Sequence, residues 1–438
     1  MSNVWPPSAA RDSRGALSIG GVDVRDAAAQ FGTPLFLLDE VAVRSRARAY
    51  LQAATAVGAH HVYYASKAFL ATAVARWVHE EGLGLDVASG GELAVALRAG
   101  VPGGALVLHG NNKSMIEIKT AIAAGVGRIV VDSFEEIVRV ADAAERAGIV
   151  QPVLVRVTIG VEAHTHEFIA TAHEDQKFGF SVSSGAALEA ILRIVKLPSL
   201  ELRGLHSHIG SQIFDAAGFE EAAMRIVAFI ASLHSDQALV VEELDLGGGM
   251  GIAYIESDDP LEIDQLAELV AGAVARECTA WGLSIPALAF EPGRAIVGPA
   301  GITVYEVGTV KPVETDEGVR TYVSVDGGMS DNIRTALYDA EYTVELASRT
   351  STADLMLVRV VGKHCETGDI VIRDAYLPSD LAPGDLLAVA ATGAYCRSMA
   401  SNYNYLPRPA VVGVNEGVAT VVLRRETLDD LLALDPGA

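Results

Sequence analysis

The sequence predicts an α/β protein, a parallel (β/α)8 TIM-like barrel with a second, antiparallel β-sandwich or barrel domain. Three observations carry this. Between about His60 and Arg294 an apolar run of strand length is followed by an amphipathic helical stretch, and the unit recurs eight times. Residues able to do chemistry fall at or just after the C-terminal end of these runs, the end that a closed parallel barrel gathers on one face. Beyond Pro299 the texture changes to short alternating runs separated by turn residues, as an antiparallel sheet requires. A doubly wound open sheet is the competing architecture. The expected division is a barrel over residues 42–302 and a β domain built from residues 1–41 and 303–438.

In chain order, Val4 to Gln30 is a polar lead-in with short alternations such as Ala16-Leu17-Ser18-Ile19, and Thr33-Pro34-Leu35-Phe36-Leu37-Leu38 reads as a strand that belongs elsewhere in the fold. The eight barrel runs are VYYAS near 64, LGLDVAS near 86, ALVLHGN near 108, RIVVDS near 131, PVLVRVTI near 156, LRGLHSHIG near 206, VEELDLGGG near 245 and ALAFEPGR near 290. After the first of them Leu70, Val74, Trp77 and Val78 form a helical stripe, with Gly82 as its stop. The later strands are expected at Ile302 to Val310, Arg320 to Val325, Met356 to Val361, Leu386 to Ala391, Pro409 to Val414 and Val418 to Leu423.

Composition narrows the function. The chain has 438 residues, half of them hydrophobic, and its 33 Lys+Arg against 56 Asp+Glu leave a net charge of −23. Such a surface repels polyphosphate, so nucleic acid and anionic membranes are not expected partners. Cys278, Cys365 and Cys396 are odd in number and far apart, which suggests neither a disulfide framework nor a zinc site and fits a reducing cytoplasm. Met1 to Gly20 lacks the apolar segment of a leader, and no long uncharged apolar run occurs.

Lys67, in HHVYYASKAF, stands at the end of an apolar strand, where an apolar wall lowers an amine's pKa and readies it for a Schiff base with a carbonyl cofactor. The plainer alternative is a lysine whose stem lies on apolar neighbours with its amine in water. Asp86, Ser89, His109, Asn111, Asp132, Arg156, His206, His208 and Arg294 occupy equivalent strand-end positions. Gly247-Gly248-Gly249 offers backbone N–H groups that can cradle a phosphate, or simply a turn needing positive φ. His206 and His208 share one face of a strand, where they form a metal pair, core residues or, for His208 with Ser211 nearby, a ring-stacking imidazole beside a phosphate. In Glu291-Pro292-Gly293-Arg294 a carboxylate can keep an aromatic nitrogen protonated and a guanidinium can hold a substrate carboxylate; a structural ion pair is the alternative. Cys365 and Glu366 pair a thiol with a carboxylate in a turn, and Tyr395 opens a polar, aromatic segment reaching Tyr405.

Nearly end to end, from NVWP at Asn3 through YYASKAF, DVASGGEL, HGNNKS, KFGF at Lys177, HSHIGSQI, LDLGGGMGI, EPGR, VDGGMSDN, GKHCETGDI, TGAYC and SNYNYLPRP to RRETLDDLL, the chain resembles the barrel-type pyridoxal-phosphate-dependent decarboxylases. The resemblance implies that Lys67 carries pyridoxal 5'-phosphate, with Asp86 among the cofactor-binding residues, and that His208 stacks on the ring. It implies that Gly247, Gly248, Gly249 and Ser211 hold the phosphate with Tyr395 close by, and that Glu291, on the turn with Pro292, Gly293 and Arg294, pairs with the ring nitrogen. Arg294, Arg334 and Tyr338 would receive the distal carboxylate of the substrate and Glu366 its distal ammonium, with Tyr395 also at the substrate. Cys365 would protonate the product.

The branch of the family it most resembles implies meso-diaminopimelate as substrate, L-lysine and CO2 as products, and a homodimer in which Cys365 and Glu366 come from the second subunit. The alternatives are a decarboxylase of ornithine or arginine, against which two arginines facing a distal amine argue, and a non-catalytic cofactor-binding homologue. A metal-dependent hydrolase using His206, His208 and Asp86 is more remote. His164 to Glu174, rich in polar groups, is a candidate lid.

Overall fold

Runs of Val, Leu and Ile with few charges can be buried on both faces, and eight of them become parallel strands: β1 His61–Ala65, β2 Gly84–Val87, β3 Leu106–Leu108, β4 Arg128–Val131, β5 Gln151–Thr158, β6 Leu200–His206, β7 Glu243–Asp245 and β8 Ala287–Phe290. The structure is a computed structural model that describes residues 2–160, 177–208, 210–214, 217–316 and 318–437. The stretch His164 to Glu174, read as a lid, lies outside the described residues. Each strand pairs with the next, and β8 pairs with β1, so the sheet closes and the open-sheet alternative is excluded. Inside, Tyr63, Val107, Val130, Leu154 and Ala289 form one buried cluster. The stripe after β1 forms the helix Thr72–Glu80 with Val74, Trp77 and Val78 buried, while Leu70 precedes it. A short strand, Phe180–Ser181, adds in parallel to β5 and had no sequence signal of its own.

Three of the βα loops end in the same device. Ser89, Ser114 and Ser133 cap the helices Gly90–Arg98, Met115–Ala123 and Phe134–Ala147 by accepting from the backbone N–H three residues on. The residue there is glutamate each time, and Glu92, Glu117 and Glu136 reach back to the backbone N–H of Ala88, Ser114 and Asp132. Ser89, read among the chemically able strand-end residues, thus serves as a helix cap.

The chain divides into two compact units, Arg46–Gly251 with Pro260–Gly293, and Met1–Ser45 with Ile252–Asp259 and Arg294–Ala438. In the second unit Leu35–Asp39 lies between Gly301–Thr315, antiparallel, and Ala410–Asn415, parallel. Gly318–Val325 and Leu355–Val361 also pair in parallel, and the remaining pairings of this sheet are antiparallel. One of the two parallel pairs has a topological cause: the strand from the N-terminal segment enters a sheet otherwise made by the C-terminal third. Ile370–Pro378 was missed because Arg373 and Asp374 interrupt its alternation, and the helix Val24–Phe31, capped by Asp23, was hidden in the polar lead-in. Among the described residues no helix is long and apolar enough to cross a membrane.

Candidate active site

The two ends of the barrel treat polar groups differently. At the N-terminal end Arg128 Nε donates to Glu243 Oε2 at 2.8 Å and Arg203 Nε to Glu243 Oε1 at 3.1 Å, so charge meets charge. At the C-terminal end Ser66 Oγ, Ser207 Oγ, His206 Nδ1 and Asp245 Oδ2 are buried and make no hydrogen bond among the described residues. A buried polar group left unmatched costs roughly 1–3 kcal/mol, so such a collection marks this end as built for a polar ligand.

Lys67 occupies the single 3-10 turn Ser66–Ala68 directly after β1. Tyr64 Oη donates to the Phe69 carbonyl at 2.5 Å and closes the loop that bears it. Gly293 lies so close that a Cβ there would stand 2.8 Å from Ala65 Cβ, so the turn after β8 presses on the same loop. The lysine side chain is exposed. Asp86, Glu92, His206 and His208 are among the titratable groups that register its charge, so the apolar wall read from the sequence is instead a polar rim, formed because β2 and β6 bring Asp86 and His208 to that end of the barrel.

Glu291, just past β8, is buried. His109 Nε2 stands 2.8 Å from its Oε1, off the angle of a good hydrogen bond, and His206 Nε2 lies 3.3 Å from its Oε2. Burial works to raise the Glu291 pKa, but the two imidazoles outweigh it and hold the carboxyl well below its usual range. Burial pushes His109 down to about 4 and lowers His206, so both rings are neutral, each with one N–H to donate. Asp86 and Asp245 go the other way: burial first, and the Glu291 charge second, raise both well above the carboxylate norm.

His208 is half-buried, and its Nδ1 accepts the Gly248 N–H at 3.2 Å, which leaves that nitrogen unprotonated. Burial first and the Lys67 charge second keep its pKa well below normal. A neutral ring fixed by a backbone donor suits stacking. Gly247 N–H donates to Asp245 Oδ1 at 2.8 Å, so two of the three amides read as a phosphate cradle are engaged within the barrel. Gly248 admits no side chain, since a Cβ would stand 2.3 Å from the Glu291 carbonyl oxygen. Ile213 N–H to Gly249 O at 2.9 Å and Gly251 N–H to Ile213 O at 3.0 Å zip the Ser211 segment to this turn.

These residues fit a pyridoxal-type cofactor: an amine on a rigid turn, an ionised buried carboxylate, a neutral imidazole and a glycine turn that excludes any side chain. The metal set His206, His208 and Asp86 is not what converges. Among the described residues, the groups whose ligand atoms lie within 4.8 Å of one another are His109, His206 and Glu291.

The second unit has its own polar centre. Arg294 Nη1 donates to Tyr254 Oη at 2.6 Å, and its guanidinium lies 4.7 Å from the Tyr395 ring centre. Arg334 lies 4.6 Å from the Tyr254 ring and donates to Tyr342 Oη. Both arginines are buried, and Tyr254 joins them. Sequence reasoning missed Tyr254 and Tyr342; the adjacency of Tyr254 to the LDLGGGMGI motif was the available signal. Tyr395 holds φ +58, a left-handed backbone rare for a tyrosine. Tyr338 ends the helix Arg334–Tyr338 and is half-buried.

Cys365 and Glu366 are exposed on a loop whose base is pinned. Asp369 accepts from Met329 N–H at 2.6 Å and His364 N–H at 2.8 Å, and His364 Nε2 bonds Ser330 Oγ at 2.8 Å.

A closed parallel barrel with a strand-end lysine, a neutral histidine, a glycine turn and a carboxylate just past the last strand is the arrangement of barrel-type pyridoxal enzymes. The family model described as the pyridoxal binding domain of the pyridoxal-dependent decarboxylases matches residues 42–298. The diaminopimelate decarboxylase of Mycobacterium leprae is 57% identical over 99% of this chain and 93% of its own length. That of Bacillus subtilis is 46% identical over 97% of this chain and 96% of its own. The crystal structure of diaminopimelate decarboxylase from M. jannaschii in complex with L-lysine superposes with a TM-score of 0.91 at 31% identity, covering 99% of this chain and 98% of that one. The chain belongs to the diaminopimelate decarboxylases.

Proposed function

We infer that this chain decarboxylates meso-diaminopimelate to L-lysine and CO2, the last step of lysine biosynthesis, with pyridoxal 5'-phosphate as cofactor. The observation that carries this is the 57% identity with the Mycobacterium leprae enzyme over 99% of the chain. L-lysine, held by the M. jannaschii structure, is the product such a reaction releases.

When bound, pyridoxal phosphate supplies an electron sink for the pair left behind as CO2 departs. The protein's part begins at Lys67, whose Nζ would hold the cofactor aldehyde and cede it to the substrate amine. The neutral ring of His208 would stack, Ser211 and the Gly247–Gly249 turn would hold the phosphate with Tyr395, and ionised Glu291 would keep a proton on the ring nitrogen. Asp86 completes the cofactor set, and Pro292 and Gly293 shape the turn between Glu291 and Arg294. Arg294, Arg334 and Tyr338 are assigned to the distal carboxylate, with Tyr395 at the substrate. Clamping that end orients the bond to be broken. Glu366 is assigned to the distal ammonium, and Cys365 to returning a proton to the product carbon.

The exposed Cys365–Glu366 loop suits donation to a second subunit, and a homodimer is part of the proposal. So is a cytoplasmic location, in keeping with three free cysteines.

The test is release of lysine and CO2 by purified protein given meso-diaminopimelate with pyridoxal phosphate, beside ornithine, arginine and lysine as substrates. Turnover of meso-diaminopimelate alone is expected. Turnover only of a monocarboxylic diamino acid would overturn the roles of Arg294 and Arg334, and no turnover would overturn the activity.

A further inference from the structure

Glu291 is only 4% exposed, and beside the Asp245 carboxyl within side-chain reach its partners are two imidazoles rather than an arginine or a lysine. His109 follows β3 and His206 ends β6, so two strands on different sides of the barrel reach one carboxylate. They take separate oxygens, at 2.8 Å on Oε1 and 3.3 Å on Oε2. The rings also pack edge to face, with centroids 4.8 Å apart at 71°, so each limits the other's rotation. We propose that His109 and His206 are positioning residues that clamp the two oxygens of Glu291 and keep it an oriented carboxylate.

The need follows from the surroundings. Asp86 from β2 and Asp245 from β7 face Glu291 with like charge or a proton to share, while Arg156 from β5, Tyr63 from β1 and His208 complete the ring of polar groups. Burial and acidic neighbours both press Glu291 to take up a proton. An arginine would prevent this but would also cancel the negative charge. A neutral N–H donor stabilises the ionised form and leaves its charge intact. At least one imidazole must donate in any arrangement, because a protonated carboxyl group carries a single proton for two contacts.

This deepens the functional reading and rests on its assignment of Glu291 to the cofactor's ring nitrogen, so the test has one arm that needs neither cofactor nor turnover. In cofactor-free protein, the carbonyl stretch of a protonated Glu291, identified by its loss in Glu291→Gln, is expected to be absent from wild type at pH 7. It is expected to appear in His109→Leu, His206→Leu and their double variant. In the holoenzyme, kcat for meso-diaminopimelate should fall about tenfold or more in each leucine variant with KM within about twofold. His109→Asn and His206→Gln, which retain an N–H donor, should recover most of that loss. Leucine variants that load cofactor, show no protonated carboxyl band and keep wild-type kcat would overturn the proposal. So would donor-retaining variants that fall as far as the leucine ones. Wild type inactive on diaminopimelate would sink the functional reading while leaving the infrared arm to decide the clamp.

Discussion

A buried carboxylate can be held ionised by charge or by neutral donors, and the two choices have different pH signatures. Burial first, against the opposing pull of Glu291, brings His109 from 6.5 down to about 4. Between those values the unfolded chain binds a proton that the folded chain refuses, so this residue's contribution to stability is complete above 6.5 and is lost as pH falls toward 4. Urea midpoints at pH 7 and pH 5 should therefore differ less in His109→Asn than in wild type. Asp331 has the opposite sign. Burial raises it from 3.8 to about 7, against hydrogen bonds led by Tyr305, whose Oη lies 2.6 Å from Asp331 Oδ2. The folded state keeps a proton that the unfolded state releases, so stability falls as pH rises from 3.8 to 7, and Asp331→Asn should flatten that limb of the profile. Lys67→Ala should lower turnover by at least about a thousandfold and abolish the absorbance of lysine-bound cofactor; normal turnover would remove the lysine from the mechanism.

The βα loops show how elements are fixed so that strand ends can be used. Lys113, in HGNNKS, is buried and donates to Gly110 O at 2.7 Å, Val130 O at 2.6 Å and Glu136 Oε1 at 3.0 Å. It ties the loop after β3 to β4 and to the first turn of Phe134–Ala147. Lys113→Met strands the Glu136 carboxylate and should cost about 3–5 kcal/mol in chemical denaturation. Adding Glu136→Leu should return much of it, because the uncompensated charge goes too. Ser114→Ala removes one side of a capping box and should cost about 1 kcal/mol.

At the scale of the whole molecule the proposed homodimer gives a direct test. Cys365 and Glu366 are exposed on a pinned loop, as groups serving a second subunit would be. Sedimentation should show a dimer, and mixing inactive Lys67→Ala with impaired Cys365→Ala protein should raise turnover above either alone. A monomer with full activity, or no gain on mixing, would show that each chain supplies both groups itself.

By itself the sequence determined the barrel, because eight apolar runs with intervening amphipathic stretches leave few other ways to bury them, and strand-end placement made Lys67, Asp86, His208, the glycine turn and Glu291 legible as one set. It also carried the family, through motifs spread over nearly its whole length. Only the tertiary structure decided which neighbours those residues have. His109 and His206 are 97 positions apart and meet on Glu291 through barrel closure, which no local pattern encodes. The polar rim around Lys67 and the capture of the Gly248 amide by His208 likewise depend on side chains converging from separate strands, whereas Asp245 holds the Gly247 amide from two residues away. In the second unit Tyr254 and Tyr342 carry no motif, and they matter because packing sets their rings against Arg334. Local propensity reads along the chain, whereas hydrogen bonding and desolvation act between residues that the fold alone makes neighbours.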